Sequence, residues 1–274
     1  MNGVIMREIS CCFLLLTFSV VCVYSFDVSS RKFYGILEGY YSGKIEELSK
    51  KNDEDVYIYR FGKFKETLSE MSSGIKSYFF NLVDYQIARL LQNKEGRRNS
   101  SKSYSVLKST QKSLLELIAS TDFKGLEKTI QSDICRILGD VNLMLLRYAG
   151  GAALSKLANE ARKYFEKSLK INSKNSFANT SLASWYLYAP RIAGGDPNKT
   201  LSFAQLGFKY GQTDVEKYFA NIWISQAHFL LKNEKESLKY ILKAGEIFPN
   251  GAFHKIVLEQ NKAGNLFMDF PIKN

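Results

Sequence analysis

The stretch SLKYILKAGEIFPN, residues 237–250 of this 274-residue chain, contains the clearest copy of the spacing pattern from which the fold is predicted. Small and aliphatic residues stand in it at offsets 0, +4, +7 and +8, namely Ser237, Ile241, Ala244 and Gly245. Residues spaced by three or four positions share one face of an α-helix. Pro249 follows at offset +12, where it ends the helix because it cannot donate a backbone hydrogen bond. The pattern predicts the second helix of a helical hairpin.

Two earlier stretches repeat this spacing. ARKYFEKSLKINSKN (161–175) carries a small, an aromatic, a small and an aliphatic residue, and TLSFAQLGF (200–208) is a degenerate copy. The matching positions are Ala161, Phe165, Ser168 and Leu169 in the first stretch, and Thr200, Ala204, Gly207 and Phe208 in the second. Packing positions of the preceding first helices are predicted at Leu182, Ala183 and Tyr186, at Ile224, Ser225 and His228, and, more weakly, at Tyr148, Ala149 and Ala152.

This pattern resembles the tetratricopeptide repeat, a helix pair of about 34 residues. The resemblance covers roughly residues 135–263 and is clearest in the last copy. It implies an all-α fold, an α-solenoid-like stack of helical hairpins formed by degenerate tetratricopeptide repeats. The amphipathic segments between residues 31 and 120 fit no repeat, so they are expected to form an N-terminal helical cap on the stack.

Three regions are predicted from these observations. Residues 1–25 are a signal peptide, and residues 26–134 form an N-terminal helical region that packs on the solenoid. Residues 135–274 form the degenerate tetratricopeptide-repeat region with a C-terminal tail. All four prolines lie in the last third of the chain, so long uninterrupted helices are permitted before them.

The N-terminal stretch is typical of a secretory signal. Arg7 precedes an apolar run over residues 11–23, and small Ser25 stands at a suitable cleavage position. As a helix the run spans about 20 Å, which is short of the bilayer core of about 30 Å. Lipidation at Cys22 and a retained membrane anchor are the alternatives to cleavage. The expected location is periplasmic and peripheral to the membrane.

The basic charge does not indicate a nucleic-acid partner. The formal net charge is +11, but the lysines are scattered along polar helix faces. The densest basic segment, residues 93–103, lacks the interleaved aromatic residues expected of a nucleic-acid site. The interpretation is a solvated, lysine-rich surface.

No catalytic or metal site is predicted, and no cofactor is expected. His228 and His254 have no carboxylate at ligand spacing, and no nucleophile elbow or zinc motif is present. Cys135 lies among apolar residues and is expected to be a buried, inert thiol. The expectation is a protein that acts by binding and not by catalysis.

The stretch YAPRIAGGDPNKTLSFA, residues 188–204, is expected to be a structural joint. Asp196 is a good N-cap and Pro197 suits the first helical position, while Gly194 and Gly195 let the chain reverse. A phosphate-binding loop needs glycine before the Lys-Thr pair, and Asn198 stands there instead. A nucleotide site is therefore not expected.

The aromatic helix SFANTSLASWYLYAP (176–190), this GGD loop and the following helix together resemble the periplasmic T component of tripartite TRAP transporters. That resemblance implies one partner, the solute-binding P component, and an apolar ligand passage through the helical protein. The signal departs from the lipoprotein type usual in the family, which leaves the mode of membrane attachment open. A lipid or other apolar small-molecule carrier and an envelope-assembly scaffold are the alternative functions.

Candidate binding residues follow from the repeat register, because solenoids bind partners on their concave side. The candidates on that side are Phe177, Tyr188, Phe219, Gln226 and Phe229. Arg191 and Asp196 are the polar candidates on the loop at its rim. The competing interpretation is that the aromatic residues belong to the core.

Overall fold

The computed structural model describes residues 27–43, 53–95 and 101–267. The predicted signal peptide and Cys22 lie outside these ranges. The helices are α1 (27–42), α2 (Asp53–Glu66), α3 (Ser73–Glu95), α4 (Ser101–Ala119), α5 (Thr121–Gly125), α6 (Lys128–Leu145), α7 (Gly151–Ile171), α8 (Ser176–Tyr188), α9 (Pro197–Tyr210), α10 (Asp214–Leu230), α11 (Glu234–Ile247) and α12 (Ala252–Lys262). None of the described helices has both the length and the apolar character that crossing a bilayer requires.

The helices pack as successive hairpins: α6 with α7, α8 with α9, and α10 with α11. The first helices α6, α8 and α10, here called the inner helices, contact one another in order. The second helices α7, α9 and α11, here called the outer helices, pack on their own partners, and α7 and α9 also pack on the next inner helix. This arrangement confirms the predicted all-α solenoid of helical hairpins.

Small side chains lie where neighbouring helices pack together. Ala161, Ala204 and Ala244, all at predicted small-residue positions, are fully buried. A Cβ added to Gly207 of α9 would lie 2.5 Å from the Thr180 side chain of α8. Because a real Cβ does not approach another atom that closely, the separation of the helices depends on these small residues.

In two of the hairpins, a pair of buried serines joins the first helix to the second. Ser132 and Ser168 have their hydroxyl oxygens 2.9 Å apart between α6 and α7. Ser225 and Ser237 have theirs 3.2 Å apart between α10 and α11. Ser132 and Ser225 each also donate to the partner serine's carbonyl oxygen, so the polar groups brought to the crossing are satisfied.

The predicted first helix around Tyr148 and Ala152 is wrong. The first helix of that hairpin is α6, which ends at Leu145, and a short 3₁₀ turn follows at Leu146–Tyr148. Gly151 then adopts the left-handed φ of +55° that opens α7. The proposed region boundary between residues 134 and 135 falls inside α6, because the repeat begins with the whole of that helix.

The N-terminal region packs on the solenoid in two places. Helices α3 and α4 pack against α6 at the start of the stack, as a cap does. Helix α1 is joined to this region by Phe33, which packs 5.5 Å from Phe61 between ring centroids. It also reaches the inner helices, where Tyr34 meets Phe177 and Tyr41 meets Phe219. Tyr41 is half-buried in this contact.

Enlarging a small residue at a crossing is expected to destabilise the fold. Ala204→Leu adds three heavy atoms at a fully buried position, so the free energy of unfolding should fall by about 1–3 kcal/mol. The matched control is Gln205→Leu, on the exposed face of the same helix, which should change it by less than about 0.5 kcal/mol. Urea titrations followed by circular dichroism measure both, and equal effects of the two variants would contradict the assigned packing.

Candidate functional site

The inner face is the surface of the inner helices that α1 and the C-terminal segment 265–267 contact. Two predicted binding residues lie on it beside α1. Tyr34 stacks on Phe177 with ring centroids 6.5 Å apart and planes 3° apart. Tyr41 meets Phe219 edge-on, with centroids 4.7 Å apart. The chain's own N-terminal helix therefore occupies this part of the predicted binding surface.

Two further predicted residues contact the C-terminal segment. The Tyr188 hydroxyl donates to the carbonyl oxygen of Phe267 over 2.8 Å. The backbone N–H of Phe267 donates to the Gln226 side-chain oxygen over 3.2 Å. The inner face is thus covered by α1 at Phe177 and Phe219, and by the segment 265–267 at Tyr188 and Gln226.

The GGD loop, residues 190–196 between α8 and α9, is ordered and is here called the rim loop. The Asp196 carboxylate accepts the backbone N–H of Asn198 over 2.8 Å, and Pro197 opens α9. The Asp196 N–H donates to the Tyr186 carbonyl oxygen over 3.0 Å, which ties the loop to α8. Gly194 takes a left-handed φ of +98°. These contacts account for the GGDP residues as structural elements, as predicted.

The rim loop presents two exposed side chains to solvent. Ile192, in the 3₁₀ turn Arg191–Ala193, is 99% exposed, and Arg191 beside it is exposed as well. Phe229, the remaining predicted residue, is half-buried near the end of α10, with the Lys232 ammonium 5.9 Å from its ring. None of its described ring contacts joins it to the other candidates.

A partly open cavity of about 130 Å³ lies between α1 and the inner helices. Aromatic side chains from α1, α8 and α10 line it, and polar groups from α3 and α6 reach it: Gln86, Arg89, Arg136 and Asp140. These polar residues were not among the sequence candidates. Arg136 and Asp140 are four residues apart in α6, a spacing that allows an ion pair on one helix face, but only the arrangement of the helices brings them together with Gln86 and Arg89 of α3.

Arg136 is the centre of a buried ion-pair network. Its guanidinium donates two bonds of 2.9 Å to Asp133 and one of 2.9 Å to Asp140. It also lies 5.4 Å from the Phe177 ring centroid, which links the network to the inner face. Burial raises the pKa of Asp140, while the Arg136 guanidinium beside it acts in the opposite direction. Burial also raises the pKa of Tyr85 to about 12.

The remaining reactive side chains are embedded in packing. Cys135 is buried, and burial raises the pKa of its thiol to about 11. Burial lowers the pKa of both imidazoles, and His254 pairs with the Tyr218 hydroxyl over 3.2 Å. Within the described ranges, no group of three or more histidine, cysteine or acidic residues is placed to hold a metal ion.

Comparison with known proteins supports the fold. No family model matches the chain, and no curated protein matches it in sequence. The crystal structure of TTC0263, a thermophilic TPR protein of Thermus thermophilus, is similar over 86% of this chain and 98% of that chain, with a TM-score of 0.53 and 12% identity. MamA is similar over 71% of this chain and 88% of that chain, with a TM-score of 0.38 and 15% identity. The similarity to TTC0263 shows a shared tetratricopeptide-repeat-like fold.

Removing Arg136 is expected to destabilise the protein in a pH-dependent way. Arg136→Met leaves two buried carboxylates without their cation, which should lower the free energy of unfolding by about 3–5 kcal/mol at neutral pH. Burial without the guanidinium raises the folded-state pKa of Asp140 further above its unfolded value. The folded state then binds the proton more tightly, so the defect should shrink as pH falls.

Urea titrations between about pH 8 and pH 5 measure this effect. The control is Lys63→Met, which removes an exposed ion pair with Glu66 and should leave the free energy of unfolding nearly unchanged at every pH. A defect of Arg136→Met that stays constant over this range would contradict the assigned origin.

Substituting Gly195 is expected to disrupt the rim loop. An added Cβ would overlap the carbonyl oxygen of Ala189, and backbone atoms cannot move aside as a side-chain end can. Gly195→Ala should therefore lower the free energy of unfolding by about 2 kcal/mol or more, whereas Gly150→Ala, with open space around it, should be nearly neutral. Thermal unfolding and proteolysis at the loop test this, and a neutral Gly195→Ala would contradict the loop geometry.

Proposed function

We propose that this protein is a non-enzymatic helical-repeat scaffold that acts in the periplasm by binding the solute-binding P component of a TRAP-type uptake system. The fold supports a protein partner in general, because stacked helical hairpins present long surfaces for contact. The signal-like residues 1–25 support export, and the aromatic helix with its GGD loop supports the choice of partner.

The exposed tip of the rim loop is the observation that carries the proposal. Ile192 is 99% exposed although its loop is held by backbone hydrogen bonds to Pro190 and Tyr186. Folding of this chain does not bury the Ile192 side chain, so its apolar surface is available for burial against a partner. The hydrogen-bonded loop holds it in place, which lowers the entropy cost of binding. Arg191 beside it supplies a charge that can orient the partner. The docking surface in this proposal is the rim loop together with the adjacent inner face.

Binding of an apolar ligand is the second candidate function. The volume of the cavity limits the size of the ligand. A space of about 130 Å³ suits a single small ring, since an engineered apolar cavity of about 150 Å³ binds benzene. The charged Arg136 and Asp140 in its lining do not suit a lipid acyl chain. In this form the carrier function concerns a small ligand, and mass spectrometry of organic extracts of the purified protein tests it. An extract containing no ligand would count against it.

Charging the loop tip is expected to weaken partner binding. Ile192→Asp changes a side chain that contributes little to the fold, so stability should stay constant while affinity for the partner falls at least about tenfold. The matched control is Leu154→Asp, at an exposed position on α7 outside the rim loop, which should leave affinity unchanged.

The measurement is affinity capture from envelope extracts with identification by mass spectrometry, followed by calorimetric titration of the captured protein. Enrichment of a solute-binding protein with the wild type, and its loss with Ile192→Asp, is the expected result. Enrichment of envelope-assembly machinery alone would contradict the proposal, as would equal capture by both variants.

A further inference from the structure

The C-terminal segment turns back onto the inner face directly after α12. Gly264 takes a left-handed φ of +77°, and the Asn265 N–H donates to the Gln260 carbonyl oxygen over 2.9 Å. These features reverse the chain, and residues 265–267 then continue without regular secondary structure. The segment reaches side chains of α8 and α10, which belong to two different hairpins.

Both main-chain polar groups of Phe267 are bound by side chains of the inner face. Gln226 is fully buried, and its amide nitrogen donates to Asn261 over 2.9 Å while its oxygen accepts the Phe267 N–H. The bond to Asn261 fixes the orientation of the carboxamide before any segment is bound. Tyr188 donates to the Phe267 carbonyl oxygen. Neither contact depends on the identity of the bound residue, because each one is made to the main chain.

Aromatic rings receive the side chain of Phe267. Its ring meets Phe253 edge-on, with centroids 4.9 Å apart. Phe253 in turn lies 6.2 Å from Trp223 and 5.8 Å from Phe219. The site therefore combines two main-chain contacts with a place for one large apolar side chain. This is the chemistry that selects an extended polypeptide segment with an aromatic residue.

We propose that these residues form a peptide-binding site that the chain's own C-terminal segment occupies in cis, and that an extended segment of a partner protein binds by replacing it. The occupant is defined by what the site holds now, a main chain without regular secondary structure that carries one aromatic side chain. The exchange can be tested with this chain and a peptide alone. The outcome of that test therefore does not depend on whether the partner is a solute-binding protein.

The contacts of the segment are few enough to exchange. Leu266 and Phe267 are only partly buried, whereas most apolar residues of the inner helices are buried. Among the described contacts, Phe267 makes two neutral hydrogen bonds and one ring contact to the rest of the protein, packs on the edge of the core, and belongs to a segment without a helix of its own. Segments with few buried contacts open locally without unfolding the rest of the protein.

The tether determines how strongly the segment competes. A short linker gives it an effective concentration on the order of millimolar, so a free peptide binds the wild type only weakly. Weakening the cis contact increases the fraction of molecules with an open site, and the apparent affinity for a peptide rises in proportion.

The test uses the full chain and a fluorescent peptide with the sequence KAGNLFMDF, residues 262–270. Phe267→Ala in the protein should bind this peptide at least about tenfold more tightly than the wild type, measured by fluorescence anisotropy. Adding Tyr188→Phe to that variant removes only the hydroxyl that donates to the main chain of the bound segment. The double variant should therefore bind the peptide more weakly than Phe267→Ala alone. A peptide with alanine in place of its first phenylalanine should not bind.

The matched control is Ile256→Ala at an exposed position of α12, which should leave peptide affinity at the wild-type level. Equal peptide affinity of the wild type and Phe267→Ala would overturn the proposal. So would undiminished binding of the alanine peptide. Loss of the folded state in Phe267→Ala, seen by circular dichroism, would also overturn it, because an exchangeable segment is not required for the fold.

Discussion

Close approach of paired helices at small side chains is the constraint on which this structure depends. A Cβ added to Gly207 where α9 crosses α8 would lie 2.5 Å from Thr180, and Ala161 and Ala204 are fully buried against α8. At such a crossing a larger side chain must displace the neighbouring helix, because protein interiors are close-packed. With the hairpins held at this spacing, the inner helices contact one another in order and form one continuous face. The candidate site exists because that face is continuous.

The inner face is not left open in the described part of the chain. Helix α1 places Tyr34 and Tyr41 against Phe177 and Phe219, and Phe267 contacts Tyr188 and Gln226. The two coverings differ in kind. Phe33 of α1 is buried beside Phe61 and joins the main core, whereas Phe267 is only partly buried. On this difference rests the proposal that a partner replaces the segment 265–267 and not α1.

Much of the fold could be predicted from the sequence, and less of the site. The offsets from Ser237 to Gly245 predict a helix face, because periodicity records which residues a helix buries. Asp196 and Pro197 likewise predict a helix start from local chemistry alone. The ion pairs of Arg136 have i,i+3 and i,i+4 spacing within α6, but its contacts with α3, α8 and the cavity could not be predicted, since they depend on how distant helices meet. The same holds for Phe267, whose contacts with Gln226 and Tyr188 span 41 and 79 residues.

The proposed function requires partner contact on the inner face and its rim loop. Hydrogen–deuterium exchange of the protein, alone and in complex with its captured partner, measures this contact. Exchange should be slower in the complex over residues 190–196 and along α8 and α10, and faster in the displaced segment 265–267. Protection confined to the outer helices α7, α9 and α11, with the rim loop and the segment unchanged, would contradict it.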